Sequence, residues 1–286
     1  MPAYYFSRSA SFVLCLAGLA LHVGCAGLPE APVIRPLGDS VAAITTNRLE
    51  ALLPTDVLLL GEQHDAAEHQ QIAQQVIALL AARGLLAALA LEMAEVGAST
   101  ATLKPSSTEQ QVQSALRWSN KEWPWQSYGP AVMTAVRAGV PVMGANLPKS
   151  QRQASMADSK LDAQLPGPAL KAQQQLIRIG HCNLLPESQI TPMTRIQIAK
   201  DVTMANTLSQ AVLPGKVVVL LSGSGHTDRQ LGVPQHLRAD LRFKAVRLRA
   251  GNEAQSEAAD AFDSIWVTPA LPDTDYCARF KAQMGR

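Results

Sequence analysis

Short apolar runs alternate with longer amphipathic stretches along most of the chain. The compact apolar runs predict buried strands at residues 56–61, 87–92, 140–146, 216–226, 243–250 and 263–269. Residues 66–84 and 129–139 instead show the helical period, and the first of these stretches ends at Gly84. Strands that alternate with helices indicate an α/β fold, with a mostly parallel central sheet flanked by helices.

The segment from about residue 150 to about residue 210 is helix-rich and too long for one crossover connection, so we interpret it as an inserted helical segment. Within it, Gln197, Asp201, Met204 and Leu208 fall on one helical face. A face that mixes amide, carboxylate and thioether groups favours a helix beside a polar pocket. A solvated helix edge is the alternative.

The amino terminus has the pattern of a bacterial lipoprotein. Residues 1–24 carry one basic residue and no acid, and their apolar run is too short for a spanning helix, which predicts a signal peptide. This segment ends in Gly24 and Cys25, the arrangement of a lipobox, so we expect Cys25 to be acylated; an ordinary secretory signal is the alternative. Residues 25–40 are rich in proline and glycine and predict a flexible tether.

The state of the cysteines in the mature protein depends on this interpretation. Removal of the signal peptide and acylation of Cys25 leave Cys182 and Cys277 in an oxidising compartment. The simplest expectation is a disulfide between these two residues, and two unpaired buried thiols are the alternative.

Charge excludes one class of function. The formal net charge of the 286 residues is +2, and no Lys/Arg cluster of useful length occurs. Nucleic-acid binding therefore has no electrostatic footprint in this chain.

Polar residues, some of them with glycines beside them, follow four consecutive strand candidates at the point where each strand ends. They are Gly61, Glu62 and His64 after the first, Glu92 after the second, Asn146 after the third, and Gly223, Gly225 and His226 after the fourth. The carboxyl ends of parallel strands meet at one edge of a sheet, which is where ligands bind. The sequence therefore predicts a site at this edge.

These imidazoles and carboxylates are compatible with three kinds of chemistry. His64, Glu92 and His226 could hold a divalent metal, or His64 could act as a base that a glutamate orients. The same side chains could instead line a pocket for a cofactor without turnover. His69 is expected to lie at the surface or behind the site rather than to bind a ligand.

Aromatic residues concentrate in "WSNKEWPWQSY" (residues 118–128) of a chain with only 5% aromatic residues. One interpretation is a small satellite core under a loop. The other is a flat apolar wall for a planar ligand, with Tyr128 as an oxygen ligand of the kind that can hold haem iron.

Several stretches together resemble the ChaN-like family of haem-binding uptake lipoproteins. They are "LLLGEQHD" (58–65), "LALEMAE" (89–95), "VPVMGANLP" (140–148), "GHCNLLPE" (180–187), "MTRIQIAKDVTMANTL" (193–208), "LLSGSGHTDRQLGVPQHL" (220–237) and "DSIWVTP" (263–269). The resemblance runs from about residue 40 to the carboxyl terminus, so residues 41–286 are expected to form a single ChaN-like α/β domain.

The leading hypothesis is a binding protein, and an enzyme is the alternative. The resemblance implies haem bound between two protomers of a dimer and a role in haem and iron uptake. Acylation of Cys25, predicted from the lipobox, would anchor the chain in the bacterial cell envelope, and Ala26 is compatible with the periplasmic face of the outer membrane, where an outer-membrane haem receptor could be a partner. Tyr128 is the first candidate for the axial ligand and a histidine the second. The full set of expected haem-site residues is Tyr128, His64, His226, Glu62, Glu92 and Asn146.

The wider superfamily also includes Tiki-type metalloproteases and erythromycin esterases. These share two Gly-x-x-His motifs and an intervening glutamate, which match Gly61/His64, Glu92 and Gly223/His226 here. The resemblance therefore also implies an alternative, a periplasmic hydrolase in which His64, Glu92 and His226 bind a metal or act as base and orienter while Glu62 activates water.

Overall fold

The computed structural model describes residues 39–251 and 260–284. The predicted signal peptide, Cys25 and the predicted tether up to residue 38 lie outside the described residues. The last two residues of the predicted tether already belong to the first helix, which begins at Asp39. Within the described ranges, no helix has the length and apolar character that a bilayer crossing requires.

Six strands form one sheet, and every pairing between named strands is parallel. The strands are β1 (Val57–Glu62), β2 (Leu86–Glu95), β3 (Val142–Asn146), β4 (Val217–Gly223), β5 (Phe243–Ala250) and β6 (Ser264–Thr268). Their order across the sheet is β3-β2-β4-β1-β5-β6. An isolated antiparallel bridge joins Ser99 to Met143 beside β3.

Nine helices accompany the sheet in the described part of the chain. They are α1 (Asp39–Glu50), α2 (Ala67–Ala82), α3 (Glu109–Ala115), α4 (Trp125–Arg137), α5 (Arg152–Ala157), α6 (Gly167–Gly180), α7 (Glu187–Ala211), α8 (Ser224–Thr227) and α9 (Tyr276–Met284). Short 3-10 turns cover Lys149–Gln151, Ser159–Gln164 and Val233–His236.

Both faces of the sheet are covered, because successive side chains of a strand point to opposite faces. Leu58 and Leu60 of β1 belong to the cluster that α2 and α4 cover. Val57 and Leu59 belong to the cluster that α7 covers. Burial on both faces explains why β1, β2 and β4 read as continuous apolar runs rather than as alternating ones.

The structure confirms the predicted α/β class and the inserted helical segment, which is the stretch from α5 to α7. Boundaries differ most in three places, by three or four residues each, and by one or two residues elsewhere. The predicted strand at residues 216–226 ends at Gly223, and the next four residues form α8. The predicted strand at 87–92 continues to Glu95, because Glu95 still pairs with Asn146 of β3. The predicted helix at 129–139 begins at Trp125.

The expected disulfide between Cys182 and Cys277 is present, with 5.6 Å between the Cα atoms. It ties α9 to the turn that follows α6. Cys182 and Asn183 in this turn both have a φ of 56°, in the left-handed region that residues other than glycine seldom adopt. The disulfide therefore closes a tight reversal of the chain at one end and anchors the last helix at the other.

Candidate functional site

The sheet register brings the predicted polar residues to one level. Glu62 of β1 lies opposite Gly223 of β4, and Leu91 of β2 lies opposite Leu221 of the same strand. Glu92, the residue after Leu91 in β2, therefore lies near the end of β4, which is between β1 and β2 in the sheet. The chain leaves β2 and β4 towards opposite edges of the sheet, and ligand crevices of parallel sheets form at such points.

Glu62 is 2% exposed and its carboxylate accepts three side-chain hydrogen bonds. The donors are the Tyr128 hydroxyl at 2.7 Å, the Gln70 amide at 2.9 Å and His64 Nδ1 at 2.9 Å. A buried carboxylate with this many donors is held in one orientation. The bond to Nδ1 leaves His64 Nε2 as the nitrogen that can accept a proton or bind a metal.

Glu92 and His226 form the centre of a second group. Glu92 Oε2 accepts the backbone N–H of Gly223 at 2.9 Å, and Glu92 Oε1 lies 3.3 Å from His226 Nε2. The other nitrogen of His226, Nδ1, donates to Asp201 Oδ1 of α7 at 2.5 Å. Lys200 adds a further positive charge 3.6 Å from Glu92 Oε1. His226 is thus enclosed between two carboxylates.

The pKa values follow from this arrangement. Burial acts to lower the pKa of His226, but the carboxylates of Glu92 and Asp201 outweigh it and raise that pKa to about 10. Burial acts to raise the pKa of Glu92, but His226, Lys200 and His64 hold it well below its usual range. The two carboxylates therefore favour the protonated, imidazolium form of His226.

His64 differs from His226 in exposure, since 40% of its side chain is accessible. Burial of the ring acts to lower the pKa of His64, but Glu62 and Glu92 outweigh this effect and raise it. His64 Nε2 lies 3.8 Å from Glu92 Oε2, beyond hydrogen-bond distance. The edge of the Trp123 ring packs against the imidazole at a centroid distance of 4.8 Å.

Two glycines permit this close assembly. A Cβ atom at Gly223 would lie 3.0 Å from His64 Nε2, so the imidazole packs directly on the end of β4. A Cβ atom at Gly61 would lie 2.8 Å from the Cα of Ser224 and closer still to the Thr227 side chain. Any larger residue at position 61 would push α8, which carries His226, away from β1.

Tyr128 is buried beneath the site, with 1% of its surface exposed. Burial raises the pKa of its hydroxyl, and Glu62 raises it further. The rings of Trp118 and Trp123 contact Tyr128 at interplanar angles of 51° and 89°. Tyr128 belongs to the main hydrophobic cluster and both tryptophan rings pack against that cluster, so they are part of the main core rather than a separate satellite core. At these angles the rings do not form one flat wall.

His69 supports the site from behind. Its ring is fully buried, Nδ1 accepts the backbone N–H of Gln63 at 2.9 Å, and Nε2 donates to the Thr268 hydroxyl at 3.0 Å. His69 therefore ties the loop that carries His64 to β6. Neither nitrogen is available to a ligand.

Two cavities open at this end of the molecule. A polar cavity of about 210 Å³ lies over β2 and β3, with Glu92, Asn146 and Lys200 in its wall. A larger cavity of about 870 Å³ lies between α6 and the segment that follows β4. Apolar side chains dominate the larger one: Pro168, Ala169, Ala172, Leu176, Leu231 and Phe262.

The expected metal set is brought together only partly. The Nε2 atoms of His64 and His226 both face the Glu92 carboxylate, at 3.8 and 3.3 Å. Across the described ranges, no three His, Cys, Asp or Glu side chains are arranged to hold a metal ion. The predicted divalent metal therefore gains no support from the geometry.

The sequence reasoning located most of this cluster. His64, Glu62, Glu92 and His226 lie together, and Asn146 joins them by donating to the Glu92 backbone carbonyl at 2.8 Å. The expected role of α7 beside a polar pocket is matched by Asp201, and by Gln197 with its amide 3.0 Å from His226 Nδ1.

Two contributors were missed. Gln70, which binds Glu62, lies one helical turn into α2, and Lys200 adjoins Asp201 on α7. In the sequence, each is a polar residue beside one that had already been considered, Gln70 beside His69 and Lys200 beside Asp201, and nothing else marks it.

Comparison with known families gives one match over most of the chain. The model of the family described as haem-binding uptake, Tiki superfamily, ChaN matches residues 48–237. This range contains β1 to β4 and every residue of the cluster described above. No curated protein sequence matches the chain.

Comparison with solved structures agrees. ChaN of Campylobacter jejuni, whose structure describes cofacial haem binding, is 26% identical, with a TM-score of 0.62 over 73% of this chain and 87% of that chain. A type III effector is 15% identical, with a TM-score of 0.50 over 79% of this chain and 94% of that one, and shares the fold alone. An erythromycin esterase reaches a TM-score of 0.43 at 14% identity over 79% of this chain and 78% of its own, too distant to bear on function.

Proposed function

Because the chain belongs to the ChaN family of haem-binding uptake proteins in the Tiki superfamily, we propose that it binds haem and takes part in haem and iron uptake. The observation that carries this proposal is the family match over residues 48–237. The structural likeness to the ChaN protein with cofacially bound haem supports it.

The larger cavity fits the apolar part of a haem. Its volume of about 870 Å³ lies in the range of cofactor pockets, whereas the polar cavity of about 210 Å³ lies below that range. The apolar residues of α6 form one wall, and Leu176 at its rim is 45% exposed. A flat apolar macrocycle could cover this surface and remove it from water.

The axial ligand must come from outside this wall, because none of the described lining residues is Tyr, His, Cys or Met. We favour His64 over Tyr128; a histidine was the second choice of the sequence reasoning. His64 is partly exposed and packs on Gly223, directly before the cavity residues Ser224 and Gly225. Glu62 holds its Nδ1, as carboxylates commonly do for histidines that bind metals through Nε2.

Tyr128 lacks these properties. Its hydroxyl donates to Glu62, its ring is buried, and its raised pKa opposes the tyrosinate form that binds ferric iron. It would have to leave the core to reach a haem.

A second copy of the chain would complete the site. Leu176 and Ile179 on α6 are 45% and 56% exposed, which is unusual for large apolar side chains on one helix. A haem that covers the α6 surface would leave its other face open, and a second protomer would close it. We therefore expect a haem-linked homodimer.

The test is a hemin titration of the purified protein, followed by Soret absorbance and by light scattering. Wild type should give a saturable Soret band and a doubling of mass. His64→Ala should lose or shift the band, and Tyr128→Phe should keep it. Absence of any Soret change in wild type would refute haem binding, and an unchanged spectrum in His64→Ala would refute only the ligand assignment.

Attachment to the envelope is supported by the sequence pattern at the amino terminus. Gly24 and Cys25 follow the apolar run of the signal segment, so acylation of Cys25 would anchor the protein to the outer membrane on its periplasmic side, near a haem receptor. Labelling of cells with a fatty-acid analogue should mark wild type and not Cys25→Ser. Equal labelling of both proteins would exclude this anchor.

A hydrolase is the second candidate, and one observation favours it. The partly exposed His64 with Glu62 at Nδ1 is also the arrangement of a general base with its orienting carboxylate. His226, in its favoured protonated form, would serve as a positive charge rather than as a base. Hydrolysis of ester or amide substrates by wild type, lost in His64→Ala, would support this function; no turnover in a broad screen would exclude it.

A further inference from the structure

The disulfide between Cys182 and Cys277 joins α9 to an element of the proposed haem site. Cys182 lies in the turn that follows α6, and the apolar residues of α6 form one wall of the larger cavity. Cys277 lies in the first turn of α9. The disulfide therefore fixes α9 to the helix that forms the cavity wall.

The residue before Cys277 connects α9 to a second element of the same site. The hydroxyl of Tyr276 donates to the carboxylate of Asp65, and Asp65 directly follows His64, the proposed axial ligand. Consecutive residues of α9 thus bind the turn after α6 and the loop that carries His64. We call α9, with these contacts through Tyr276 and Cys277, the strap.

Burial contributes little to the position of the strap in the described part of the chain. From Tyr276 to residue 282 the side chains are exposed, except that of Phe280, which is partly buried. The Phe280 ring contacts the His181 ring at a centroid distance of 5.6 Å. One ring contact and one hydrogen bond at the surface contribute little stability by themselves. The disulfide is therefore the main restraint on the strap.

The turn after α6 has restraints of its own. The backbone N–H of Cys182 donates to the Ile179 carbonyl, and that of Asn183 donates to the Arg178 carbonyl, both at 2.8 Å. These bonds close the end of α6 without any contribution from the disulfide. Loss of the disulfide should therefore release α9 and leave α6 folded.

An external thiol can approach this disulfide. Cys277 is an exposed residue and Cys182 is partly exposed. Thiol–disulfide exchange requires that a thiolate reach one of the two sulfurs, so access limits its rate. The bond thus combines accessibility with control over an element that few other contacts hold.

We propose that Cys182–Cys277 is a site of thiol–disulfide exchange that controls the strap, with a dithiol oxidoreductase as its partner. A thiolate of the partner would attack Cys277 Sγ, and the S–S bond would break as Cys182 leaves as a thiolate and takes a proton from water. The second thiol of the partner would then attack the mixed disulfide and release Cys277 as a thiol. The partner supplies both electrons and becomes a disulfide itself.

The consequence of this exchange for the ligand rests on the proposed haem binding. With the disulfide intact, the strap joins the wall of the haem cavity to the loop of His64 and retains haem. With the disulfide reduced, the wall and the loop lose this connection and haem leaves faster. Reduction would thus convert a protein that holds haem into one that passes it on.

The first test is amide hydrogen exchange of the haem-free protein before and after reduction by dithiothreitol. Exchange in residues 276–282 should become at least about tenfold faster on reduction, whereas exchange in α6 should stay unchanged. The double variant Cys182→Ser with Cys277→Ser should exchange like reduced wild type, and dithiothreitol should not alter it. Lys281→Ala, at an exposed residue of α9, is the matched control and should exchange like oxidised wild type.

The second test is the transfer of hemin from each protein to an excess of apoglobin, followed by absorbance. Hemin should leave the double serine variant at least about fivefold faster than oxidised wild type. Tyr276→Phe, which keeps the disulfide but loses the bond to Asp65, should give a smaller increase. Lys281→Ala should release hemin at the wild-type rate.

Several results would overturn the proposal. Unchanged exchange in α9 after reduction would refute the release of the strap, and a disulfide that dithiothreitol cannot reduce in the folded protein would refute the exchange site. Equal hemin release from the double variant and oxidised wild type would refute the role in retention. If the double variant does not fold, hemin release from reduced and oxidised Lys281→Ala provides the same comparison. Failure of wild type to bind hemin would refute the haem proposal, whereas the exchange experiment contains no haem and tests the strap independently.

Discussion

His69 should make the protein less stable as the pH falls from about 7 to about 4. Burial lowers the pKa of this imidazole from its ordinary 6.5 to about 4, although Asp65 acts in the opposite direction. Protonation would also place a new N–H at Nδ1 against the backbone N–H of Gln63, which already donates to that atom at 2.9 Å. The folded protein therefore resists a proton that the unfolded chain accepts.

The sign and size follow from linkage. As the pH falls below 6.5 the unfolded chain binds a proton at His69 first, so the free energy of unfolding decreases until the pH reaches about 4. Below that pH both states are protonated and the decrease stops. The interval between 6.5 and about 4, at about 1.36 kcal/mol per pKa unit, corresponds to roughly 3 kcal/mol. That is a large share of the stability of a typical domain.

The assay is urea denaturation at a series of pH values for wild type, His69→Gln and His181→Gln. His69→Gln should be less stable near neutral pH, because the side chain joins Gln63 to Thr268, but should lack the roughly 3 kcal/mol loss at lower pH. His181→Gln is the control for the loss of an imidazole away from the site. If His69→Gln loses stability with pH as steeply as wild type, the assignment to His69 is wrong.

Three further predictions concern the site and its frame. Gly61→Ala should lower the free energy of unfolding by roughly 1–3 kcal/mol in urea melts, because a Cβ would lie 2.8 Å from the Ser224 Cα; Gly225→Ala, with no atom within 4 Å, should be tolerated. Cys277→Ser should cost about 2–5 kcal/mol by the same assay, since the lost disulfide spans 95 residues. Tyr128→Phe should cost about 1–3 kcal/mol, because Glu62 loses a buried donor, while leaving the hemin spectrum unchanged.

Each of these three has an outcome that contradicts it. Equal effects of alanine at both glycines would show that α8 is not held by contact with β1. A reductant that leaves the melting of wild type unchanged would contradict the role of the disulfide. Loss of the Soret band in Tyr128→Phe, with the fold intact by circular dichroism, would return the axial ligand to that tyrosine.

The apolar and polar pattern was enough to predict the α/β class and the place of the site. A strand buried on both faces must be a continuous apolar run, and a parallel sheet must bring the carboxyl ends of its strands to one edge. Glu62, His64, Glu92 and His226 could therefore be assigned to one site from the sequence. Gly61 could be placed at the same edge from the sequence, because it directly follows Leu60, the last apolar residue of β1.

Only the tertiary structure decided how these residues act. The order β3-β2-β4-β1-β5-β6 places β4 between β1 and β2, so His226 lies beside Glu92, which is 134 positions earlier in the sequence. The Asp201 carboxylate, which helps to raise the pKa of His226, comes from α7, on the face of the sheet opposite α2 and α4. Such contacts depend on crossover connections and packing, which no local pattern encodes. For the same reason burial, not residue type, separates the enclosed Tyr128 from the partly exposed His64.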